Sequence, residues 1–293
     1  MSLTCSIFRQ CFVKSIVALA FFCKVFAFDA FVKAQGSEYA AGAKSMAMAG
    51  ASVANQDEYA FSNNPAGAAS CKILNISFLV QNKFMVSNMN SLALLTVFPV
   101  HKNISLGVNF HKFGDLYYSE QRIGIGLASN IKNVSLGTQF HVLQVRMDEV
   151  STQWTWIGEF GGIASISEKI KWGAHVWNLN NASLATKRKS ELPVLLRTGV
   201  SYQPIQKVQV NIEISKQIDY NPSLNVGLEY MIIRWMALRT GVNTALSKIC
   251  IGFGVVQKKW KLDYAINSSS RLGYSHQFSL TWILSKKQQF NKE

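Results

Sequence analysis

The chain has 293 residues, of which 48% are hydrophobic, 12% aromatic and only 16% charged. This composition excludes an intrinsically disordered chain, which would have fewer aromatic residues and more charge. The net charge of +14 does not indicate nucleic-acid binding, because the basic residues are scattered through predicted turns without a known nucleic-acid-binding signature, and anionic membrane surfaces are better partners for an exported protein.

The N-terminus has the pattern of a secretory signal peptide over residues 1–34. The basic residues Arg9 and Lys14 come first, and the apolar stretch Ser15–Cys23 follows them. The small residues Ala27 and Ala34 come next and suit cleavage by a signal peptidase. Cleavage after Ala34 removes four basic residues and one acidic residue from the total of +14, which leaves +11. No lipidation motif precedes Cys23. We therefore expect an exported protein without a lipid anchor.

Residues 35–70 differ in composition from the rest of the chain, because alanine, glycine and serine dominate and no hydrophobic alternation is sustained. Small residues let a backbone pack closely in a narrow space, so this segment is predicted to be a plug or hatch in a barrel lumen. Asn64-Pro65 favours a turn, and Gly67 permits an unusual backbone conformation. The alternative is an ordinary turn that leads into the first strand.

This segment also contains a motif in three parts: a run from Gly42 to Ala54, the acidic pair Asp57-Glu58, and the run Asn64 to Gly67. The residues that define it are Gly42, Met46, Met48, Gly50, Asn64, Pro65 and Gly67. The motif resembles the N-terminal signature of PorV/PorQ-type proteins, which resemble the wider FadL-like group of outer-membrane barrels. It departs from that signature at Lys44, where the family has arginine, and at Ala47 and Ala49, where the family has glycine.

The resemblance has consequences for fold and function. It implies an outer-membrane barrel with a lumen-inserted N-terminus. It further implies an accessory role in type IX protein secretion, with secretion-system proteins as partners. The alternative within the same group is a FadL-like passive transporter, whose ligands would be hydrophobic small molecules.

From Cys71 to Leu284 the dominant pattern is alternation with a period of two. In residues 104–110, for example, apolar residues alternate with Ser105, Gly107 and Asn109. The predicted strands are 71–82, 91–100, 103–113, 118–129, 132–146, 154–166, 169–179, 192–203, 206–216, 222–231, 234–243, 247–256, 259–267 and 272–285. The predicted fold is all-β: a transmembrane antiparallel β-barrel of about 14 strands over residues 71–285, followed by a tail at 286–293.

Short and long connections alternate along these strands. The short ones include His101-Lys102, Pro204-Ile205 and Gln257-Lys258, and the long ones include residues 83–90 and 180–191. Outer-membrane barrels have short periplasmic turns and longer external loops. The pattern therefore predicts an outer-membrane protein of a diderm bacterium. The N-terminus and the C-terminus of the barrel are both expected on the periplasmic side.

Aromatic residues near the predicted strand ends suit the interfacial girdles of such a barrel. They are Trp154, Trp156, Trp172, Trp177, Tyr202, Tyr220, Tyr230, Trp235, Trp260 and Tyr274. A soluble β-sandwich also alternates and is the competing fold. It is disfavoured because the polar face has few charges, whereas the outside of a sandwich would carry many.

The polar face does contain one ordered set of charges, which we predict to lie in the lumen. These residues are Arg197, Glu213, Glu229, Arg239, Lys261 and Asp263. Opposite charges at matching heights on neighbouring strands can pair, because the strands lie about 4.8 Å apart. Such pairs would neutralise the lumen and hold the plug, or would form a polar constriction for a solute.

No pattern predicts catalysis, a cofactor or a metal. The five histidines stand alone in sequence, without the spacing of a zinc or catalytic motif. Cys71 and Cys250 are too few to make a disulfide framework. Partners are expected to be outer-membrane lipid and either secretion-system proteins or hydrophobic small molecules, with no nucleic acid. Loop residues suited to either partner are Met85, Met89, Phe113, Leu116, Tyr117 and Tyr118.

Overall fold

The computed structural model describes residues 41–147, 151–184, 190–218, 220–245, 247–270 and 272–284. The predicted signal peptide, the first residues of the predicted plug and the predicted C-terminal tail lie outside the described residues. Every statement about the structure below concerns the described ranges.

Three short helical elements precede the strands. They are helix α1 (Ala43–Ala47), helix α2 (Ala60–Asn63) and a 3-10 helix (Pro65–Ser70). Asn64 caps the 3-10 helix, because its side-chain oxygen accepts a hydrogen bond from the Ala66 backbone N–H at 3.2 Å. Pro65 is the first residue of that helix, where its missing N–H is not needed. The predicted Asn-Pro turn is therefore the start of a helical element.

Sixteen strands follow within the described residues, and most are between 8 and 15 residues long. The first half comprises β1 (Leu74–Asn82), β2 (Asn90–His101), β3 (Ile104–Gly114), β4 (Tyr118–Ile131), β5 (Val134–Met147), β6 (Ser151–Ser165), β7 (Ile170–Trp177) and β8 (Ser183–Leu184). The second half comprises β9 (Ser190–Glu191), β10 (Leu195–Ile205), β11 (Val208–Gln217), β12 (Ser223–Ile233), β13 (Met236–Asn243), β14 (Lys248–Gln257), β15 (Trp260–Ser269) and β16 (Gly273–Leu284).

Fourteen of these strands form one closed antiparallel barrel, which confirms the predicted fold class and makes the sandwich alternative wrong. Closure is made by β1 and β16, which pair from Leu74 opposite Leu284 to Asn82 opposite His276. The barrel has no free edge at this seam, because the first and last strands pair along this whole length. The remaining two strands, β8 and β9, pair only with each other.

Side chains alternate between the two faces of the wall. On β4, Ile123, Ile125 and Leu127 are between 49% and 58% exposed on the outer face. Arg122 and Ala128, which point to the other face, are buried. The exposed outer face is thus apolar and the inner face carries polar and small residues, as expected for a wall with lipid outside.

The two ends of the barrel differ in the length of their connections. At one end, here called the short-turn end, neighbouring strands are joined at residues 102–103, 132–133, 166–169, 206–207, 234–235 and 258–259. The chain also enters β1 and leaves β16 at this end. The opposite end, here called the long-loop end, has the longer connections, including residues 83–89 and 178–194.

Two strands begin three residues later than predicted, and one small strand pair was not predicted. β1 begins at Leu74 because the 3-10 helix still occupies residues up to Ser70. β10 begins at Leu195 because Pro193 lacks the N–H that a ladder requires. The small β8–β9 pair lies inside a connection that was predicted to have no strands. No helix in the described ranges is long and apolar enough to cross a bilayer.

The lipid-facing assignment of the outer face predicts a depth-dependent penalty on β12. Leu228 is 40% exposed at the middle of the strand, and Ile232 is equally exposed near the short-turn end. We expect Leu228→Arg to destabilise the folded barrel by about 2–4 kcal/mol and Ile232→Arg by about 0–1 kcal/mol. Urea unfolding in phospholipid vesicles measures both. Equal penalties at the two depths would contradict the assignment.

Candidate functional site

Residues 41–70, here called the lumen segment, run across the inside of the barrel and touch the inner wall on many sides. Helix α1 packs against β13, β14, β15 and β16, whereas the 3-10 helix packs against β3, β4, β5 and β6. Tyr59, Phe61 and Met48 have no exposed surface. The segment therefore fills the lumen where these elements meet the wall.

The wall makes room for the segment with glycines. A Cβ on Gly173 would come within 2.5 Å of the Val53 carbonyl oxygen, and one on Gly107 would overlap the Phe61 ring. Similar overlaps occur at Gly137, Gly161, Gly227, Gly241 and Gly252. These positions lie on strands around the barrel. A bulkier residue at any of them would displace the segment or the wall.

Asn64 joins the segment to the wall through its side-chain amide. Its side-chain nitrogen donates to the carbonyl oxygens of Val53 at 2.7 Å, Gly162 at 3.3 Å and Ala174 at 3.3 Å. Val53 belongs to the segment, whereas Gly162 and Ala174 belong to β6 and β7. Asn64 has no exposed surface. One side chain thus joins the segment to itself and to two wall strands.

The other predicted motif residues occupy distinct places in the segment. Gly42 and Gly50 have φ angles of +93° and +84°, which side chains other than glycine rarely adopt. Met46 and Met48 are buried. Gly67 lies so close to Asn55 and Ala60 that a side chain would overlap them. Pro65 starts the 3-10 helix.

Arg197 and Glu213 form the first of two ionic clusters between segment and wall. The Arg197 Nε lies 2.6 Å from Glu213 Oε1, and its other nitrogens donate to the carbonyl oxygens of Asn63 and Gly50, each at 2.9 Å. Glu213 Oε2 accepts from the backbone N–H groups of Ser52 and Val53, each at 2.8 Å. Both charges hold the segment backbone directly.

The second cluster joins the other four predicted lumen charges. Arg239 contacts Glu229 at 2.5 Å and Asp263 at 2.6 Å. Lys261 pairs with Glu58 of the segment at 2.5 Å. The segment also supplies Lys44, which lies 3.3 Å from Glu229.

The alternation along the strands predicted the inward position of the wall residues of both clusters, but it did not predict their partners in the segment. Lys44, Asp57 and Glu58 lie in a stretch without regular alternation, so this pattern gives no information about which way they point. Tyr59 was missed for the same reason, and its hydroxyl donates to Asp263 at 3.1 Å. The segment thus contributes charges of its own to the lumen.

The two acidic residues of the segment experience different surroundings. Burial raises the pKa of Asp57, and the opposing effect of Lys44 does not cancel it. Burial acts to raise the pKa of Glu58 as well, but Lys261 and Lys44 together hold that pKa below its usual value. Glu58 therefore stays ionised to a lower pH than Asp57 does.

A third polar cluster on the wall was not predicted. Glu159 accepts hydrogen bonds from the Nε2 atoms of His141 and His175, the latter at 2.7 Å. In the orientation that satisfies its neighbours, the Gln139 amide donates to Glu159 and to the Phe61 carbonyl oxygen, each at 2.8 Å. All four side chains point inward, and their inward positions could have been predicted from the alternation along the strands. Within the described ranges, no group of His, Cys, Asp or Glu is arranged to hold a metal.

A small recess remains beside the segment toward the long-loop end, and its lining is mostly apolar. Its walls include Leu79, Ala93 and Phe110 as well as His111 and Arg122. Its volume is about 30 Å³, which is enough for about two water molecules and too little for a drug-sized ligand. The recess is therefore not a ligand pocket in this conformation.

The barrel wall is interrupted between β6 and β7, at a place we call the wall notch. β7 ends at Trp177, opposite Glu159, whereas β6 continues over residues 151–158. No strand in the described ranges pairs with those residues on the β7 side. Asn180 substitutes for one: its side chain accepts from the Gly158 N–H at 2.8 Å and donates to the Trp156 carbonyl oxygen at 2.9 Å.

Beyond the notch the chain turns inward. Asn178 and Asn181 have φ angles of +59° and +48°, and such left-handed positions favour asparagine among the larger residues. Asn178 holds the turn by accepting from the Ala182 N–H at 2.7 Å and donating to the Leu192 carbonyl oxygen at 3.0 Å. Strand β8 consequently packs against the inner face of β6.

An apolar cluster lies directly inside the notch. It consists of Leu143, Val145, Ile157, Ala182 and Leu184, each of them at most 8% exposed, and we call it the notch cluster. Its member Ile157 is next to Trp156, which is 57% exposed on the outer face. Only the thickness of the wall therefore separates this cluster from the apolar exterior.

Neither a protein-family model nor a curated protein matches this sequence. Solved structures do match its fold. The toluene transporter TodX of Pseudomonas putida aligns with a TM-score of 0.62 and 11% identity, over 84% of this chain and 99% of TodX. A FadL homologue of Pseudomonas aeruginosa aligns with a TM-score of 0.56 and 11% identity, over 82% of this chain and 97% of the homologue.

These matches support the FadL-like part of the sequence resemblance at the level of fold. None of them supports the PorV/PorQ assignment, which rests on the N-terminal motif alone. At identities this low the likeness concerns architecture. The chain therefore has the fold of FadL-like outer-membrane barrels.

Proposed function

We propose that this protein is an outer-membrane channel for the passive entry of hydrophobic small molecules. The observation that carries the proposal is the wall notch, with the apolar notch cluster behind it. A blocked lumen argues against a general porin, because water-soluble solutes need an open axial path. An apolar solute could instead leave through the side of the wall into the bilayer.

The proposed route begins at the long-loop end. Met85, Leu116 and Tyr117 are between 65% and 80% exposed there, which suits capture of an apolar molecule. From this end the solute would reach the notch cluster and pass Asn180 into lipid. The fold shared with TodX and the FadL homologue supports this reading, because those proteins are described as a toluene transporter and a FadL homologue.

The remaining assignments follow the same proposal. Residues 1–34 would be a cleaved signal peptide, and the lumen segment would act as the plug. The short-turn end would face the periplasm, and both chain termini of the barrel would lie on that side. The predicted motif residues and lumen charges would serve to position the plug.

Closing the wall notch should stop transport. The Asn180 side chain reaches Gly158, since its Oδ1 lies 3.7 Å from a Cβ built at Gly158, so Gly158→Cys with Asn180→Cys puts two thiols on neighbouring side chains for oxidative cross-linking. Cys71→Ser and Cys250→Ser would remove the natural thiols. We expect oxidation to reduce uptake of a hydrophobic fluorescent dye by diderm cells to the level of cells without the protein. A reducing agent should restore uptake.

A second cysteine pair in the intact wall is the matched control. Val226 and Val242 face each other across β12 and β13, and their cross-link should leave dye uptake unchanged. Unaltered uptake with the notch pair oxidised would contradict the lateral route. Uptake of a polar dye of similar size should stay at background throughout.

An accessory role in type IX secretion is supported only by the N-terminal motif. That role predicts that secretion fails in cells lacking the protein, while hydrophobic dye uptake is unaffected. The opposite pattern favours the channel. Both measurements can be made on the same strain.

A further inference from the structure

The short-turn end of the barrel carries a ring of exposed basic residues. Every connection between strands at this end contains at least one lysine or arginine, and another lysine precedes β1. The members are Lys72, Lys102, Lys132, Lys169, Lys207, Arg234, Lys258 and Lys259, and all are exposed. We call this set the basic ring.

Among the described residues, no acidic side chain pairs with the ring. The only acidic residue within the described connections at this end is Glu168. None of the ion pairs found among the described side chains involves a member of the ring. At the long-loop end, by contrast, basic residues are mixed with Asp115 and Glu120. The asymmetry therefore belongs to one end of the barrel.

Four of these cations lie on three neighbouring connections along the rim. The Lys207 carbonyl oxygen accepts from the Met231 N–H at 2.8 Å, which ties the β10–β11 turn to the strand that leads to Arg234. The Trp235 carbonyl oxygen likewise accepts from the Val256 N–H at 2.8 Å, which ties the turn of Arg234 to the strand that leads to Lys258. Lys207, Arg234, Lys258 and Lys259 thus lie on three consecutive turns of the rim, here called the basic arc.

Aromatic side chains accompany this arc on the outer face of the wall. Trp260 and Trp282 stack with their ring centres 5.2 Å apart, and Trp235 is 53% exposed beside Arg234. Tyr202 and Tyr230 are also exposed near the same rim. Such aromatic residues mark the boundary between the hydrocarbon and headgroup layers. The basic residues lie just beyond them, at the level of lipid phosphates.

We propose that the basic ring binds the phosphate headgroups of anionic phospholipids in the leaflet at the short-turn end. The proposal rests on the membrane residence proposed above. Its occupant is a lipid because the cations adjoin the exposed aromatic residues of the outer wall. An acidic soluble partner would not need a surface next to the hydrocarbon layer. Each cation near an anionic surface should favour such lipids by about fivefold.

The test uses the full mature chain in vesicles of phosphatidylcholine, with or without phosphatidylglycerol. Quenching of tryptophan fluorescence by brominated lipid reports which lipid lies against the girdle. We expect brominated phosphatidylglycerol to quench at a lower lipid fraction than brominated phosphatidylcholine. The variant Arg234→Gln/Lys258→Gln/Lys259→Gln should lose this preference by about tenfold or more. High salt should weaken it in the unaltered chain.

Removal of charges from the other end is the matched control. Lys112 and Arg146 are exposed near the long-loop end, and Lys112→Gln/Arg146→Gln should keep the preference for phosphatidylglycerol. Equal losses in both variants would show an effect of net charge alone and would overturn the proposal. Displacement of the brominated lipid by a polyglutamate peptide at equal charge concentration would overturn it in favour of an acidic protein.

Failure of membrane insertion is a separate outcome. Insertion is measured by protection of the strands from protease in pure phosphatidylcholine vesicles. Absence of protection would contradict membrane residence and the transport proposal with it. Protection combined with equal quenching by the two brominated lipids would contradict only the lipid-binding ring.

Discussion

Deletion of residues 41–60 is expected to convert a closed barrel into an open channel. These residues include α1, whose contacts reach β13 to β16. Their removal leaves Asn64–Gly67 and every barrel strand in place. Because the wall charges then face water, ions can pass between them. We expect the conductance in planar bilayers to rise by at least about tenfold over that of the unaltered mature chain.

The open channel should also have a tunable ion selectivity. The six predicted lumen charges comprise three basic and three acidic residues, so the deleted protein should discriminate weakly. Adding Arg239→Gln should shift the reversal potential toward cations, because Glu229 and Asp263 lose their shared partner. A synthetic peptide of residues 41–60 should reduce the conductance again. Unchanged conductance after the deletion would show that the lumen segment is not the plug.

The barrel was predictable because a two-residue period directly reports the two sides of a strand. A wall with lipid outside requires apolar residues at every second position, and β4 shows this with Ile123, Ile125 and Leu127 exposed. The first residues of two strands were less predictable, because a neighbouring feature prevents pairing there. β10 begins only after Pro193, and β1 begins only after the 3-10 helix has ended.

The lumen segment was predictable in composition but not in conformation. Its alanines and glycines indicated close packing, whereas its partners are set by wall residues far away in sequence. Ser52, for example, meets Glu213, and Ala43 donates to the Ser279 hydroxyl at 2.8 Å. No local period encodes contacts at such separations.

The wall notch was not predictable from alternation. The predicted seventh strand extended to residue 179, whereas β7 ends at Trp177 and the chain then turns inward at Asn178. Asn178 takes an outward position on this strand, like the exposed Trp172, and Leu179 takes an inward one, like Trp177. The alternation therefore breaks at Asn178, but it does not show that the chain then turns inward. The turn depends on side-chain hydrogen bonds of Asn178 to Ala182 and Leu192 in the same connection, and of Asn180 to Trp156 and Gly158 of β6.

The structure also changes the expected behaviour of the lumen charges. In an open pore, inward residues contact water and tolerate substitution. Here Glu213, Arg239 and Asp263 are buried, and their partners include the lumen segment. Substitution of these residues should therefore affect the stability of the closed state as well as ion passage.

Replacement of Arg197 by methionine is expected to release the lumen segment. The change removes hydrogen bonds to the Gly50 and Asn63 carbonyl oxygens and leaves the Glu213 carboxylate without its cation. Breaking one partner of a buried pair typically costs about 3–5 kcal/mol. Glu213 keeps the Ser52 and Val53 N–H groups, so the effect should lie toward the lower part of this range.

Two measurements separate loss of the segment from loss of the barrel. Urea unfolding in vesicles reports the stability of the whole protein. Labelling of a cysteine at Ala54, which is 3% exposed, reports local release in a background with Cys71→Ser and Cys250→Ser. We expect Arg197→Met to accelerate labelling by at least about tenfold, because opening a site by 1.4 kcal/mol already changes its population tenfold.

Glu213→Gln in the Arg197→Met background should recover part of the loss, since it removes the uncompensated charge. Arg146→Met, an exposed arginine on β5, is the control and should change neither measurement. If the double variant is no more stable than Arg197→Met alone, the ion pair is not what holds the segment. The carbonyl hydrogen bonds of Arg197 would then be the dominant contacts, because they are lost equally in both variants.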